Sequence, residues 1–537
     1  MNSFVQRHAA SVIGVLSGFD RILFRGTLMR LCNGGGLFDL MRKTGYLLKE
    51  FGDFCESVTA QVKAASEQVA EAAGRPMMYL SNPSIRKEEL AREIARRDGI
   101  QSGLVCVFSA VEPCWTFAFN PAGRSRGRET KVLTPHRRKC LHYYHYMIHP
   151  ELGFMHARLQ TWLPLSITVC LNGREWLSRQ MDRAGLGYVR RENCFTQLSD
   201  VLAAQELMNQ QLSANWPQLL GDIAGWINPA YPAVLGGHAP EYYWSVDQSE
   251  WATDVMFKNA SALARLYPRL IRHGITTLAS PDVLRFLGQK LPAHGGINGN
   301  FKGQVLTDLK QRPEGLRIKH GINRNTLKMY DKQGSVLRVE TTINDASGFK
   351  VYRPVESSRK VDREGQETCK YAWQQLRKGV ADLHRRAQLS DDSNQRYLEA
   401  LAVVEQTPRL GELLEGVCKP TRETKDRPKA VRALRPFDPR DQRLLDSIGR
   451  GEFAINGFRN RDLRHQLFGD DKQTDVREQR RRSGVVTRQL RLLRGHGLIK
   501  KVSGTHRYLL TSRGRQIVTV LQTARHADTA RLLAAAA

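Results

Sequence analysis

Acidic residues are scarce in this chain: 53 Asp and Glu face 82 Lys and Arg, a formal net charge of +29 over 537 residues. A surface this positive attracts polyanions and repels copies of itself. Nucleic acid is therefore the expected partner, ahead of an anionic membrane. No apolar run approaches the roughly 20 residues of a membrane span. The mildly apolar "AASVIGVLSGF" (9–19) runs straight into Asp20 and Arg21, so it reads as a buried strand or helix rather than a secretory leader, and the expected location is cytoplasmic. The nine cysteines are odd in number, widely spaced and without a CxxC, which argues against a disulfide framework and a zinc ribbon. There is no Walker A sequence, no GxSxG elbow and no GxGxxG after a strand. ATP-driven, serine-hydrolase and dinucleotide chemistries have no support, and no nucleotide cofactor is expected.

What is present suggests three or four domains, at roughly 150 residues each. Residues 1–100 read as mainly helical, with one helix over 37–75 stopped by Gly74 and another over 82–99 capped by Ser84. Residues 101–226 read as α/β: two short strands around Glu112–Pro113, a basic turn at 123–131, strands at 154–162 and 165–173, and helices at 174–185 and 199–225. A Pro- and Gly-rich boundary at 227–241 leads into an α+β core at 242–355, in which 260–288 reads as two helices and 292–304 as a loop. Residues 356–428 form a helical and basic linker region, and 429–537 a terminal domain. The expected fold class is multidomain α+β, an antiparallel sheet core with helices plus a C-terminal winged helix.

That last expectation rests on a local pattern. Helices are predicted over 438–451, 457–469 and 476–499, with Val486, Leu490 and Leu493 on one face of the third. A strand, a Gly turn, a second strand and another helix follow over 499–518. The phrase "LRLLRGHGLIKKVSGTHRYLLTSRGR" resembles winged-helix DNA-binding domains, which implies a recognition helix running into a wing. Between 477 and 501 nine Lys and Arg accompany one Glu. Arg480, Arg481, Arg488, Arg491, Lys500, Lys501 and Arg507 are the expected nucleic-acid contacts, DNA ahead of structured RNA. The competing reading is a solvated basic face on a non-catalytic regulator or RNA partner.

In the central block, "YYWSVDQSEWATDVMF" (242–257) holds Asp247, Glu250 and Asp254. A helix would place all three on one face; a strand would place only Glu250 and Asp254 on one side. Clustered carboxylates suit Mg or Mn, which polarise phosphates, although salt bridges to nearby arginines would use the same residues. Tyr242, Tyr243, Trp244 and Trp251 suit base stacking or a core. Over 314–344, turns at "NRN" and "KQG" predict three antiparallel strands that bring Lys328, Tyr330, Arg338 and Glu340 together. The pair "YDK … RVE" (Tyr330, Asp331, Lys332, Arg338, Val339, Glu340) resembles rolling-circle plasmid replication initiators. The resemblance implies a DNA-nicking protein of the mobile-element or replication type, with a metal held by acidic residues. Asp247, Glu250, Asp254, Asp331 and Glu340 are then the candidate catalytic residues, Asp247, Glu250, Asp254 and Glu340 the metal ligands, and Lys328, Tyr330 and Arg338 nucleic-acid contacts. The initiators' His-x-His pair is missing, so no nucleophile maps across and Tyr330 is expected to be structural or to stack on a base.

In "HRRKCLHYYHYMIH" (136–149) a helix would align His142, His145 and His149 for zinc. No second clustered pair accompanies them, and zinc is not the expected cofactor. The phrases "SGFDRILFRGTL" (17–28) and "FAINGFRNRDL" (453–463) resemble an uncharacterised multi-copy bacterial family and add no site residue.

Overall fold

Helix accounts for more residues than strand, and strands run on through a stretch that was expected to break. The computed structural model describes residues 2–528 apart from 83, 122–123, 126–127, 130–131, 232–233, 235–240, 290–302, 313–314, 359, 362–366, 405–409, 423–429 and 470–474. Most of the expected loop at 292–304 and parts of the basic turn at 123–131 and of the linker region lie outside the described residues. The chain is mixed α/β and divides into two compact units, each built from separate segments: 16–252 with 342–388, and 1–15 with 253–341 and 389–537.

The first of these units is built on β1 (Val12–Thr27, residues 16–27 here), β2 (Met77–Tyr79), β3 (Gly103–Asn120), β4 (Val132–His149), β5 (Gly153–Gln160), β6 (Ile167–Asn172) and β7 (Tyr243–Phe257, residues 243–252 here). Their order is β7-β1-β6-β5-β4-β3-β2. β2 runs parallel to β3 while β3/β4, β4/β5, β5/β6 and β1/β6 are antiparallel, so the sheet is mixed rather than the purely antiparallel one expected. The expected break at Glu112–Pro113 does not occur. β3 passes through it because β4 pairs along its whole length, from Gly103 opposite Ile148 to Asn120 opposite Val132.

Helix α1 (Phe51–Ala72) covers this sheet with Phe51, Phe54, Cys55, Val58 and Val62, a spacing of three and four that makes one apolar stripe. The single helix expected over 37–75 is two, Gly34–Lys43 and α1, because Gly45 at φ +83° leaves the helical region between them. Likewise 199–225 splits into Val201–Asn209 and Trp216–Ile227, the second started by Asn215 accepting from the Gln218 amide and by Pro217 in its first turn. Ser84 does not cap α2 (Lys87–Arg97): its amide donates to Asn82, and the helix begins after Arg86. Helix α3 (Gly173–Ala184) ends at Gly185 as expected.

The histidine run lies on β4, so successive side chains take opposite sides of a strand and the helical face needed for three convergent nitrogens does not form. His142 and His145 are buried, and burial pushes both imidazoles down to about 4.

The other unit is built on β8 (Val305–Arg312), β9 (Gly315–Ile322), β10 (Asn325–Lys332) and β11 (Val336–Ile343, residues 336–341 here), in the order β8-β9-β10-β11-β7. Both turns of the 314–344 segment fall where expected: Asn323 has φ 52°, and Gln333 and Gly334 have φ 58° and 78°, the paired positive values of a tight hairpin. Helices α4 (Ala260–Thr276), α5 (Ser280–Phe286) and α6 (Leu383–Leu401, residues 389–401 here) contribute Leu263, Leu270, Phe286 and Tyr397 to one core with Ile318, Met329, Leu337 and Val339. A second core closes inside 410–525.

Candidate nucleic-acid interface

In the 325–343 hairpin, strand pairing places Lys328 and Tyr330 beside Glu340. Lys328 Nζ lies 2.5 Å from Glu340 Oε1, and the Tyr330 hydroxyl donates to Oε2 at 2.7 Å. Burial works to raise the Glu340 pKa, but Lys328, the Tyr330 hydroxyl and Arg338 outweigh it and hold the carboxyl below its usual range. Arg338 grips Asp254 on β7 with two hydrogen bonds, Nε–Oδ1 at 2.6 Å and Nη2–Oδ2 at 2.8 Å; both side chains are 1% exposed. Asp331 is half-buried, accepts the Gly334 amide at the hairpin turn, and has its pKa raised by burial. Strand pairing brings Lys328, Tyr330 and Glu340 together, while the Arg338 side chain turns to Asp254. Asp254 is taken by a bidentate guanidinium, Asp331 by its own turn, and Tyr330 by a buried carboxylate.

In the other unit, Asp247 and Glu250 sit on a strand, so they face opposite sides. Asp247 pairs with Arg25 at 3.4 Å. Glu250 lines a cavity of about 490 Å³ with Asp20, Arg21, Arg92, His156 and Asn193. Oxygens of Asp20 and Glu250 lie within 4.8 Å of one another. Asp20 is 6% exposed and accepts from Asn193 Nδ2 at 2.6 Å. His156 is pushed down to about 3, first by burial and then by Arg21, Arg158 and Lys87, so its imidazole is neutral. The sequence reading missed Asp20, although a carboxylate inside the apolar stretch "SGFDRILF" was a visible signal. Tyr243 is half-exposed, whereas Trp244 and Trp251 are buried in the core and Tyr242 packs against it.

The C-terminal segment forms α7 (Pro439–Ile448), α8 (Gly451–Asn456), α9 (Asn460–Phe468), α10 (Val476–Gly495), β12 (Ile499–Lys501), β13 (Tyr508–Leu510) and α11 (Ser512–Arg525). One short helix, α8, was not expected. Val486, Leu490 and Leu493 are buried as the period requires. The hairpin pairs Lys500 with Leu509, and the Phe458 backbone adds to its outer side through reciprocal 2.8 Å hydrogen bonds with Tyr508. This closeness requires Gly457, at φ +64°, where a Cβ would stand 2.2 Å from the Tyr508 carbonyl oxygen.

The basic residues separate by what they touch. Arg481 is neutralised by Glu478 at 2.6 Å, and Arg491 donates to the Ala430 carbonyl at 3.0 Å. Arg507 is half-buried beside the hairpin turn. Arg480 and Arg488 on α10 and Lys500 and Lys501 on β12 are exposed and have no acidic partner among the described residues. No family model, curated protein or solved structure matches the chain.

Proposed function

We propose that the protein binds nucleic acid through residues 429–537, acting as a winged helix with α10 presented to the duplex and β12–β13 as the wing. The observation that supports this reading is the row of exposed, unneutralised cations Arg480, Arg488, Lys500 and Lys501 on one helix and the strand that follows it. Each cation that neutralises a duplex phosphate releases counterions, so four contacts give a log–log salt slope of about −3.6. Titration of the full chain against a DNA duplex at several salt concentrations is expected to give about that slope. The R488A/K500A variant should flatten it by about two, whereas R491A should change it little because that guanidinium is held by Ala430. A salt-independent affinity, or the same slope in R488A/K500A, would mean that the face is only solvated.

A second reading, metal-dependent strand processing of the mobile-element or replication type, has its support in the Asp20–Glu250 pair. Two carboxylates 4.8 Å apart or closer, one of them buried, suit a hard divalent cation such as Mg or Mn. Arg21 on the same cavity wall supplies positive charge for a phosphate, whereas Arg92 is paired with Glu88 and Glu175. Cleavage of supercoiled plasmid and of folded RNA with Mg or Mn is expected from the parent chain and is expected to drop at least about a hundredfold in D20N or E250Q. Equal cutting by parent and variants would remove this site from the chemistry.

A further inference from the structure

The strands Lys350–Pro354 and Tyr371–Gln375 form an isolated antiparallel ribbon. Its register sets Lys350 opposite Gln375, Tyr352 opposite Trp373 and Pro354 opposite Tyr371. These six residues therefore share one face. The other face is anchored: Val351 and Arg353 are each 7% exposed, and Arg353 Nη1 reaches Asp382 at 3.2 Å. The outer face is built the opposite way. Tyr352, Tyr371 and Trp373 are 58%, 57% and 56% exposed, and the Tyr352 ring centroid lies 5.7 Å from each of the other two. Solvent-facing ribbon positions ordinarily carry small polar or charged groups. Three large rings held in a row expose more than half of their surface.

We propose that this ribbon is a stacking platform for single-stranded nucleic acid. The proposal deepens the nucleic-acid reading above and adds a second binding surface to it. Strand pairing fixes the three rings before any ligand arrives, so little order is lost when bases lie on them. Lys350 shares the face of the rings, and Lys370, Arg377 and Lys378 flank the second strand in sequence; all four are exposed, and their side chains have no acidic partner among the described residues, which supplies charge for the backbone phosphates. A duplex keeps its base faces stacked on one another and offers only edges and phosphates, so the platform selects unpaired bases. Stacking recognises the flat face that every base has, so binding is tolerant of sequence.

The test uses the full chain with fluorescein-labelled oligothymidylate and oligouridylate of about 20 nucleotides and a duplex of equal length, followed by anisotropy. Y352A/W373A is expected to weaken single-strand binding about 30-fold or more, from the loss of two stacked bases, and to leave duplex affinity unchanged. Y352F/W373F keeps aromatic faces and is expected to bind close to the parent, which separates stacking from any general loss of structure. Unchanged single-strand affinity in Y352A/W373A, with duplex binding intact, overturns the platform and leaves the C-terminal reading standing. A parent chain that binds neither form overturns both. A self-association in sedimentation velocity that Y352A/W373A abolishes, without change in single-strand affinity, would assign the face to a second copy of the chain and overturn the proposal.

Discussion

Arg338→Ala is expected to destabilise the unit containing β10 and β11 by about 3–5 kcal/mol, the usual cost of stranding one half of a buried ion pair. The reason is geometric. Asp254 and Arg338 are each 1% exposed and joined by two hydrogen bonds, so removing the guanidinium leaves a carboxylate with neither water nor its countercharge. Asp254→Ala should cost a similar amount by leaving the guanidinium. The D254L/R338M double variant should cost less than either single change, because a pair replaced by apolar groups of similar size leaves no buried charge behind. All eight tryptophans lie in the other unit, so intrinsic tryptophan fluorescence is the wrong probe. Hydrogen exchange of the amides at 336–341 reports the correct one, and R338A should raise exchange there by about two to four orders of magnitude. If protection in R338A falls less than about tenfold, the pair does not hold the strands together.

The same pair shows where sequence reading stops. Asp254 and Arg338 are 84 residues apart, and only the order β11 beside β7 makes them partners. Nothing local to either residue encodes that order, so the carboxylate read as a metal ligand while its counterion read as a phosphate contact. Features set within a dozen residues were legible: the turns at Asn323 and Gln333–Gly334, the buried stripe Val486–Leu490–Leu493, and the stop at Gly185. Long strands were harder. Residues 136–149 fit a helical period and a strand period equally well, and the pairing of β4 with β3 and β5 decided for the strand. Among the basic residues, type and spacing marked a cationic cluster, but only the fold shows that Arg481 is held by Glu478 and Arg491 by the Ala430 carbonyl. Asp20 could be seen as an acid in an apolar stretch, but the residues it meets, Asn193 and Glu250, come from segments far along the chain.

Asp282→Asn is expected to stabilise the chain at neutral pH, by about 2–3 kcal/mol. Asp282 is 2% exposed in the first turn of α5, and its Oδ2 accepts the Ala279 amide at 2.7 Å. Helix α8 closes over it so tightly that a Cβ on Gly451 would stand 2.5 Å from its Oδ1. Burial pushes its pKa up to about 6; Glu452 adds to the rise, while the Ala279 amide, Arg285 and Arg450 oppose it. The raised value means that the folded state binds a proton more tightly than the unfolded one. The stabilising contribution is therefore complete below the ordinary value of 3.8 and is lost as pH rises to about 6. Asparagine keeps the acceptor for the Ala279 amide and removes the charge, so the variant should lose most of the fall in stability between those two pH values. Glu452 and Asp462, both buried and raised by desolvation, leave a residual slope. Hydrogen exchange at 280–286, compared between pH 4 and 7 after correction for the intrinsic rate, measures the difference directly. Parallel pH profiles for parent and variant would show that Asp282 does not titrate in this window and that α8 tolerates its charge.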